Sequence, residues 1–293
     1  MPFFKRKCLT LSVLSIAFTA AGCSAQKLLD SAKYNQQELF GPINWPVQPN
    51  EIRSAKGSPG VKYWQNKADY TIRAVLSEKD TSITSQVIIN YTNNSPDQLE
   101  YLWLQLDQNL FKSDSRGAAT TPLNGDRFDI KGFARGGYQI SSVTITDRHK
   151  KYTVKPVITD SRMQLRLNEP LEANGSTIKI EINYGFAIPV YGADRMGRLK
   201  TRNGYIYELA QWYPRMCVYD DAEGWNTLPY MGLGEFYCEY GDFDYYITAP
   251  ADMLVFGSGD LQNPEDVLTR KEINRLKEAS KSDQTVTIIG RDE

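Results

Sequence analysis

The stretch that decides the fold class is residues 70–106, YTIRAVLSEKDTSITSQVIINYTNNSPDQLEYLWLQL. Apolar and polar residues alternate along residues 70–76 and again along residues 82–91, which is the period of a strand with one buried face. A turn-forming cluster at residues 93–97 comes before residues 99–106, which predict a third strand with a strongly buried face. This part of the chain therefore predicts consecutive strands joined by turns.

The same pattern continues toward the C-terminus. Further strands are predicted at residues 140–145, 151–158, 163–167, 178–184, 235–240, 243–249 and 285–289. Their spacing and the turn signals between them are typical of a sandwich or a barrel. A hydrophobic content of 41% supplies enough apolar side chains for a substantial core. We therefore expect an all-β fold.

Two segments depart from the strand pattern. Residues 111–137 are rich in Gly, Ser and Thr and predict a long surface loop, functional or mobile, with a disordered insertion as the alternative. One short C-terminal helix is also predicted. Asn263 is its expected N-cap and Pro264 its first helical residue, and it should end by Ser280.

The N-terminus has the features of a signal peptide over residues 1–23. Basic residues precede an apolar run, and the sequence Ala-Ala-Gly-Cys then resembles a bacterial lipobox with Cys23 as the lipidated residue. Ordinary cleavage after Ala25 is the alternative. Either way we expect an exported protein, a cell-envelope lipoprotein (periplasm or outer membrane) or a secreted one, that contacts the membrane only through a lipid anchor. Residues 24–62 predict a linker, and residues 63–293 predict the β domain.

Composition excludes several function classes. The net charge of −1 gives no bulk attraction to nucleic acid, so we expect no nucleic-acid partner. The single histidine, His149, stands in a predicted turn, whereas a zinc site needs three or four converging ligands. An HExxH motif needs two histidines, and a Ser-His-Asp triad would have to use this same exposed one. The sequence therefore predicts no metal site and no catalytic residue in this chain.

Acidic residues and cysteines leave two smaller questions open. A glycosidase pair such as Asp220 and Glu235 would need a fixed separation of the two carboxylates, and acidic residues near turns, Glu239 included, are expected to be solvated. Cys217 and Cys238 could pair in an oxidising compartment or act as two buried thiols. The second interpretation is favoured, because the sequence does not show that the two side chains meet.

The most distinctive stretch is residues 204–259. It contains, in order, Gln211-Trp-Tyr-Pro214, Tyr219-Asp220, Glu235-Phe-Tyr237, Gly241-Asp-Phe-Asp244, Pro250-Ala-Asp252 and Gly257-Ser-Gly259. Residues 101–109, YLWLQLDQN, precede it. As an ordered set these motifs resemble the N-terminal β domain of the M1 family of zinc aminopeptidases, secreted bacterial type. The resemblance covers residues 63–293.

The resemblance implies a saddle-like, multi-stranded antiparallel β-sandwich that packs on a zinc catalytic domain and closes one side of its cleft. In the family the zinc helix, the third zinc ligand, the exopeptidase loop and the catalytic Tyr all follow this domain, and this sequence contains none of them. We therefore expect a β domain incomplete at its C-terminus, without a cofactor of its own and inactive alone. Zinc is expected in the catalytic domain, which is the expected partner, together with a peptide substrate.

Two residues are implied as substrate-binding. Gln211, in the Gln-aromatic-x-Pro segment, corresponds to the family residue that lines the pocket for the first residue of the substrate. Glu208 is a nearby acidic candidate for the substrate amine. A glutamine amide offers both a donor and an acceptor, which suits the role. The alternative for Gln211 is that it caps the turn before Pro214.

A second function class remains open. The chain could be a stand-alone secreted β-sandwich binding module, because sandwich folds host many unrelated functions. Such a module should be a stable monomer with a closed C-terminal edge, whereas a docking domain should expose an apolar face.

Overall fold

The computed structural model describes residues 49–122, 125, 128–129, 136–148, 150–190 and 193–290. The predicted signal peptide with Cys23 and the single histidine, His149, lie outside these residues. The chain divides into two compact units, residues 1–63 and residues 64–293. In the first unit, the described residues include an isolated bridge between Arg53 and Pro59, and the Arg53 guanidinium lies 5.2 Å from the Tyr63 ring centroid.

The second unit is built mainly of strands. They are β1 (Lys67–Ser77), β2 (Ser82–Asn93), β3 (Leu99–Gln105), β4 (Gln139–Asp147), β5 (Lys150–Thr153), β6 (Val157–Thr159), β7 (Arg162–Leu171), β8 (Ser176–Ala187), β9 (Gly197–Thr201), β10 (Gly204–Glu208), β11 (Arg215–Met216), β12 (Tyr219–Asp220), β13 (Gly224–Trp225) and β14 (Phe243–Thr248). The helices are a 3-10 helix at Asp107–Phe111, α1 (Arg116–Thr120), α2 (Pro264–Val267) and α3 (Arg270–Ala279).

Two main sheets enclose the core. The larger has six strands in the order β14-β1-β2-β8-β4-β5, and the other has four in the order β11-β3-β7-β6. Alternation along β2 buries Ile83, Val87 and Ile89, as the sequence predicts. Side chains such as Leu102 of β3 and Leu165 of β7 join the same buried cluster. The predicted all-β, sandwich-like fold is confirmed. One pair of strands departs from the expected antiparallel arrangement, since β14 pairs with β1 in parallel.

One predicted strand, residues 151–158, is two strands in different sheets. β5 pairs with β4 in the larger sheet, and β6 pairs with β7 in the smaller one. Pro156 lies between them, and proline has no N–H with which to continue a ladder. The chain therefore changes sheets at this residue.

The prediction of a surface loop at residues 111–137 is wrong for its first part. Phe111 ends the 3-10 helix and is buried, and α1 follows with Ala118 buried. The Ser115 hydroxyl caps α1 by accepting a hydrogen bond of 2.9 Å from the Ala118 N–H. Part of the remaining stretch, residues 123–124, 126–127 and 130–135, lies outside the described residues.

The predicted C-terminal helix is two helices. Leu268 is extended between them, and Thr269 starts α3 with a capping box that includes Glu272. Asn263 precedes α2 but makes no side-chain capping hydrogen bond. The single-helix prediction is wrong because the Thr-x-x-Glu pattern inside it begins a new helix.

Two predicted strands, residues 235–240 and 285–289, do not form. In the first, only Tyr240 makes a bridge, and the Tyr237 carbonyl accepts a hydrogen bond of 3.0 Å from Arg215 Nη1. In the second, the Ile288 carbonyl accepts one of 3.1 Å from Arg275 Nη1. In each segment one backbone carbonyl is therefore bound by an arginine side chain and not by a neighbouring strand.

Candidate functional site

The segment that holds the predicted site residues connects β10 to β11. Glu208 is the last residue of β10, opposite Gly197 of β9, and its side chain is exposed. Gln211 is half-buried, and its backbone has a φ of +48°, in the left-handed region that side chains other than glycine rarely adopt. Within the described part of the chain, no hydrogen bond joins the Glu208 and Gln211 side chains.

Three core side chains hold the backbone at Gln211. Gln108 Nε2 donates to the Ala210 and Gln211 carbonyls at 2.9 and 3.0 Å, and the Tyr138 hydroxyl donates to the Gln211 carbonyl at 2.8 Å. The Tyr184 hydroxyl donates to the Trp212 carbonyl at 3.1 Å. Because strained backbone persists only where its surroundings fix it, these bonds account for the unusual φ of Gln211.

The Gln211 side chain differs from its backbone in hydrogen bonding. Its amide makes no hydrogen bond to any residue that the structure describes, whereas its backbone carbonyl accepts two. The amide therefore keeps its donor and its acceptor available from a fixed backbone position.

A buried ion pair lies directly beside this segment. Arg215 Nε donates to Asp107 Oδ2 at 2.8 Å and Arg215 Nη2 to Asp107 Oδ1 at 3.4 Å, and the Asp107 residue is 1% exposed. Burial raises the pKa of the Asp107 carboxyl, and Arg215 offsets part of that effect. Burial also opposes the charge on Arg215, but Asp107 raises the pKa of its guanidinium. The pair anchors β11 against the 3-10 helix.

Arg215 also contacts residues 236–238. Besides the Tyr237 carbonyl, its Nη1 lies 3.5 Å from Cys238 Sγ, and its guanidinium lies 5.1 Å from the Phe236 ring centroid. Asp107 and Arg215 were not assigned a role from sequence. Their positions in the sequence could have identified them. Asp107 lies within residues 101–109 and Arg215 directly follows residues 211–214, and both segments carry the family resemblance.

Glu239 is a second buried acid that the sequence prediction missed. It is 7% exposed rather than solvated, because it lies under β12, where its Oε1 accepts a hydrogen bond of 3.2 Å from the Tyr219 N–H. Its Oε2 has no hydrogen-bond partner among the described residues. Burial raises the pKa of the Glu239 carboxyl to about 7, the Tyr219 N–H lowers it, and the charge on Asp220 adds to the rise.

Asp220 and Glu235, the pair named for the glycosidase alternative, are not buried as Glu239 is. Asp220 Oδ1 accepts hydrogen bonds from the Ala222 and Glu223 N–H groups at 3.0 and 2.9 Å, which is the arrangement of a capped turn. The Tyr237 hydroxyl donates to Asp220 Oδ2 at 3.0 Å. Glu235 is exposed. Turn formation therefore accounts for the position of Asp220.

The two downstream cysteines are free thiols, Cys217 buried and Cys238 exposed. Cys217 and Cys238 therefore form no disulfide with each other. The prediction of two buried thiols is right for Cys217 and wrong for Cys238. Burial raises the pKa of the Cys217 thiol to about 12, so this side chain behaves as a small hydrophobe.

Solved structures similar to this chain include M1 zinc metallopeptidases. One is a two-domain M1 zinc metallopeptidase variant bound to L-tryptophan, at 14% identity and a TM-score of 0.33, covering 70% of this chain and 39% of that chain. Another, from Deinococcus radiodurans, has 14% identity and a TM-score of 0.32, covering 70% of this chain and 38% of its own. TM-scores this low assign no role to any residue.

This chain therefore spans about two fifths of the length of the solved structures that it matches, 38% and 39% for these two. No protein-family model matches the sequence, and no curated protein matches it.

Neither a metal site nor a membrane-spanning helix is found within the described ranges. No group of three or more His, Cys, Asp or Glu side chains there is arranged to hold a metal ion. The described residues therefore offer no ligand set for the zinc ion, which the resemblance places in the catalytic domain. No helix among them is long and apolar enough to cross a membrane.

Proposed function

We propose that this chain is the non-catalytic N-terminal β domain of an M1-like zinc aminopeptidase. The parent reaction is the metal-assisted hydrolysis of the N-terminal residue from a peptide. The zinc ion then belongs to a catalytic domain that follows this one, and this chain docks on that domain and lines its substrate cleft. The ordered motifs of residues 101–109 and 204–259 support the assignment to the family.

The observation that supports the cleft role is the backbone at Gln211. Its left-handed φ is stabilised by hydrogen bonds to the carbonyls of residues 210–212, and no residue in the described part of the chain bonds its amide. Strained residues held in this way are common where a side chain must be oriented for a ligand. In this proposal the Gln211 amide contacts the first residue of the peptide.

Glu208 has the complementary role in this proposal. Its carboxylate is exposed at the end of β10, three residues before Gln211. A peptide N-terminus carries an ammonium group, which a carboxylate binds by a charge-assisted hydrogen bond. Glu208 therefore supplies charge recognition and Gln211 supplies the directional hydrogen bond.

The Gln211 amide can be tested with this chain joined to the catalytic domain in one polypeptide. We expect Gln211→Ala to lower kcat/KM on an aminoacyl-anilide by about 10- to 100-fold, mainly through KM, because one hydrogen bond to the substrate is lost. Gln65→Ala, at an exposed position outside the segment, is the matched control. The chain alone should show no chelator-sensitive hydrolysis.

Two results would contradict the proposal. One is hydrolysis by the chain alone that a chelator abolishes, since the chain would then hold its own metal site. The other is a Gln211→Ala variant of the joined polypeptide whose kcat/KM equals that of Gln65→Ala, which would leave the docking role but remove Gln211 from the cleft.

We also propose that the protein is exported and held at the cell envelope through a lipid on Cys23. The lipobox-like sequence before Cys23 supports this location. Cys23→Ala should move most of the protein from the membrane fraction to the soluble fraction, measured by cell fractionation and immunoblotting. If the unchanged chain and Cys23→Ala are both found mainly in the soluble fraction, cleavage after Ala25 is favoured instead.

The stand-alone binding module is the less favoured alternative. It predicts a closed C-terminal edge, whereas β14 is exposed along its whole length and residues 285–289 form no strand. An uncovered apolar edge is typical of a surface that meets another protein.

A further inference from the structure

The 3-10 helix carries three consecutive polar residues that are all buried. Asp107, Gln108 and Asn109 are 1%, 1% and 2% exposed. Buried polar side chains are normally hydrogen-bonded, and these three bond different parts of the chain. Asp107 binds Arg215, Gln108 binds the Gln211 carbonyl, and Asn109 binds a residue that itself contacts Gln211. All three therefore connect this helix to the candidate site.

Gln108 fixes both peptide groups that flank the Gln211 α-carbon. Its Nε2 donates to the Ala210 carbonyl at 2.9 Å and to the Gln211 carbonyl at 3.0 Å. The first carbonyl belongs to the peptide group before this α-carbon, and the second belongs to the peptide group after it. Because peptide groups are planar, their orientations set φ and ψ of Gln211 and so the direction of its Cα–Cβ bond. Gln108 therefore controls where the Gln211 side chain starts and which way it leaves the backbone.

Tyr138 is the second donor to the Gln211 carbonyl. Its hydroxyl donates to that oxygen at 2.8 Å. A carbonyl oxygen has two lone pairs, and Gln108 and Tyr138 together occupy both. The Gln108 residue is 1% exposed and Tyr138 is 9% exposed, so their burial keeps water from replacing either donor.

Asn109 in turn fixes the position of Tyr138. Its Oδ1 accepts a hydrogen bond of 2.8 Å from the Tyr138 N–H, and its Nδ2 donates to the Asp160 carbonyl at 2.8 Å. The Tyr138 ring packs edge-on against Tyr184 and Phe186, with centroids 5.3 and 5.7 Å away. Both the backbone and the ring of Tyr138 are therefore held, and its hydroxyl reaches the Gln211 carbonyl from a fixed position.

Turn geometry does not account for the left-handed backbone of Gln211. Thr81, Arg148 and Asp160 also have positive φ, but each lies in a short turn between two paired strands, where such backbone is common. Gln211 instead connects β10 to β11, which belong to different sheets. The hydrogen bonds from Gln108 and Tyr138 stabilise this conformation in place of a hairpin.

We propose that Gln108 and Tyr138 are positioning residues for peptide binding. They hold the two peptide groups around the Gln211 α-carbon and so keep its amide directed at the first residue of the peptide, while Asn109 holds Tyr138. All three side chains are buried, so they act through Gln211 and not by contact with the peptide. This inference rests on the proposed function, because it requires the Gln211 amide to contact the peptide.

The kinetic test uses this chain joined to the catalytic domain, with an aminoacyl-anilide as substrate. Tyr138→Phe keeps the ring and removes one of the two bonds to the Gln211 carbonyl, so KM should rise about 3- to 10-fold with kcat unchanged. Gln108→Met removes the bonds to both peptide groups at similar side-chain volume, so its effect should be at least as large. Neither effect should exceed that of Gln211→Ala, because both act through this residue.

A double variant separates positioning from a general loss of stability. In a Gln211→Ala background the amide is already absent, so Tyr138→Phe should not raise KM further. Tyr91→Phe is the matched control, because it removes the bond of 2.8 Å between another buried tyrosine hydroxyl and Asn66 Nδ2. It should leave KM unchanged. An equal rise in KM for Tyr91→Phe and Tyr138→Phe would overturn the positioning role.

A measurement on the unchanged full chain needs no variant. The chemical shifts of the Gln211 α- and β-carbons, measured by nuclear magnetic resonance, should be those of a left-handed residue. Shifts typical of extended or right-handed backbone would overturn the inference. Should Tyr138→Phe not fold, Gln108→Met carries the kinetic test.

The outcomes distinguish this inference from the proposed function. If Gln211→Ala raises KM but Tyr138→Phe and Gln108→Met do not, the positioning role is overturned and the proposed function stands. The same holds if the effects of Tyr138→Phe and Gln211→Ala add in the double variant. If Gln211→Ala itself matches Gln65→Ala, the cleft role is wrong and the positioning role is overturned with it.

Discussion

Asp107→Ala is expected to destabilise the folded chain by about 3–5 kcal/mol, because it leaves the buried Arg215 guanidinium without its counter-charge. The Asp107 side chain is 1% exposed and that of Arg215 is 11% exposed, so water cannot replace the lost carboxylate at this site. The free energy of unfolding is measured by urea denaturation at pH 7, with tryptophan fluorescence as the signal. Because Arg215 also holds the Tyr237 carbonyl, residues 235–238 should become more accessible to hydrogen exchange.

Asp114→Ala is the matched control for this prediction. Asp114 also forms an ion pair, with Lys112 at 3.8 Å, but its side chain is 78% exposed. Exposed pairs contribute about 0–1 kcal/mol, so this variant should stay close to the unchanged chain. Equal losses for Asp107→Ala and Asp114→Ala would show that the Asp107–Arg215 pair does not anchor the site segment.

Glu239→Gln is expected to stabilise the chain at pH 8 and to have little effect near pH 4. The pKa of the Glu239 carboxyl is raised from 4.5 to about 7 in the folded state, so folding favours its protonated form. The stability that this group contributes is fully present below about pH 4.5 and is lost as pH rises through about 7. A shift of this size corresponds to about 3 kcal/mol between pH 4 and pH 8, which the neutral glutamine does not lose.

The measurement is the free energy of unfolding of both proteins from pH 4 to pH 8. The groups that face the Glu239 carboxyl are the Tyr219 N–H, the Asp220 carboxylate and the Tyr91 hydroxyl. Glu235→Gln, at an exposed position four residues earlier, controls for the loss of one negative charge. A constant difference between Glu239→Gln and the unchanged chain at all pH values would mean that folding does not raise the pKa of the Glu239 carboxyl.

Most of the strands could be predicted because their signal is local. Alternation with a period of two identifies β1, β2, β4, β7 and β8 directly, since one face of each strand is buried in the core. The same signal failed at residues 235–240 and 285–289, whose composition favours strands equally well. Apart from the isolated bridge of Tyr240, neither segment has a partner strand among the described strands, and the alternation of residues within a segment does not show whether a partner lies beside it.

The candidate site was predictable only in part. Ordered motifs drew attention to Gln211, but the side chains that hold its carbonyl are Gln108 and Tyr138, which lie far from it in sequence. Glu239 was expected to be solvated, because a carboxylate near a turn usually is. It is buried because β12 covers it, and pairing between distant segments decides such coverage.

The most direct test of the account is the genomic DNA that follows the codon for Glu293. If this chain is the β domain of an M1-like zinc aminopeptidase, the reading frame continues and encodes an HExxH motif with a further glutamate ligand downstream. A stop codon immediately after Glu293 in the chromosome, with no such motif encoded nearby, would contradict it.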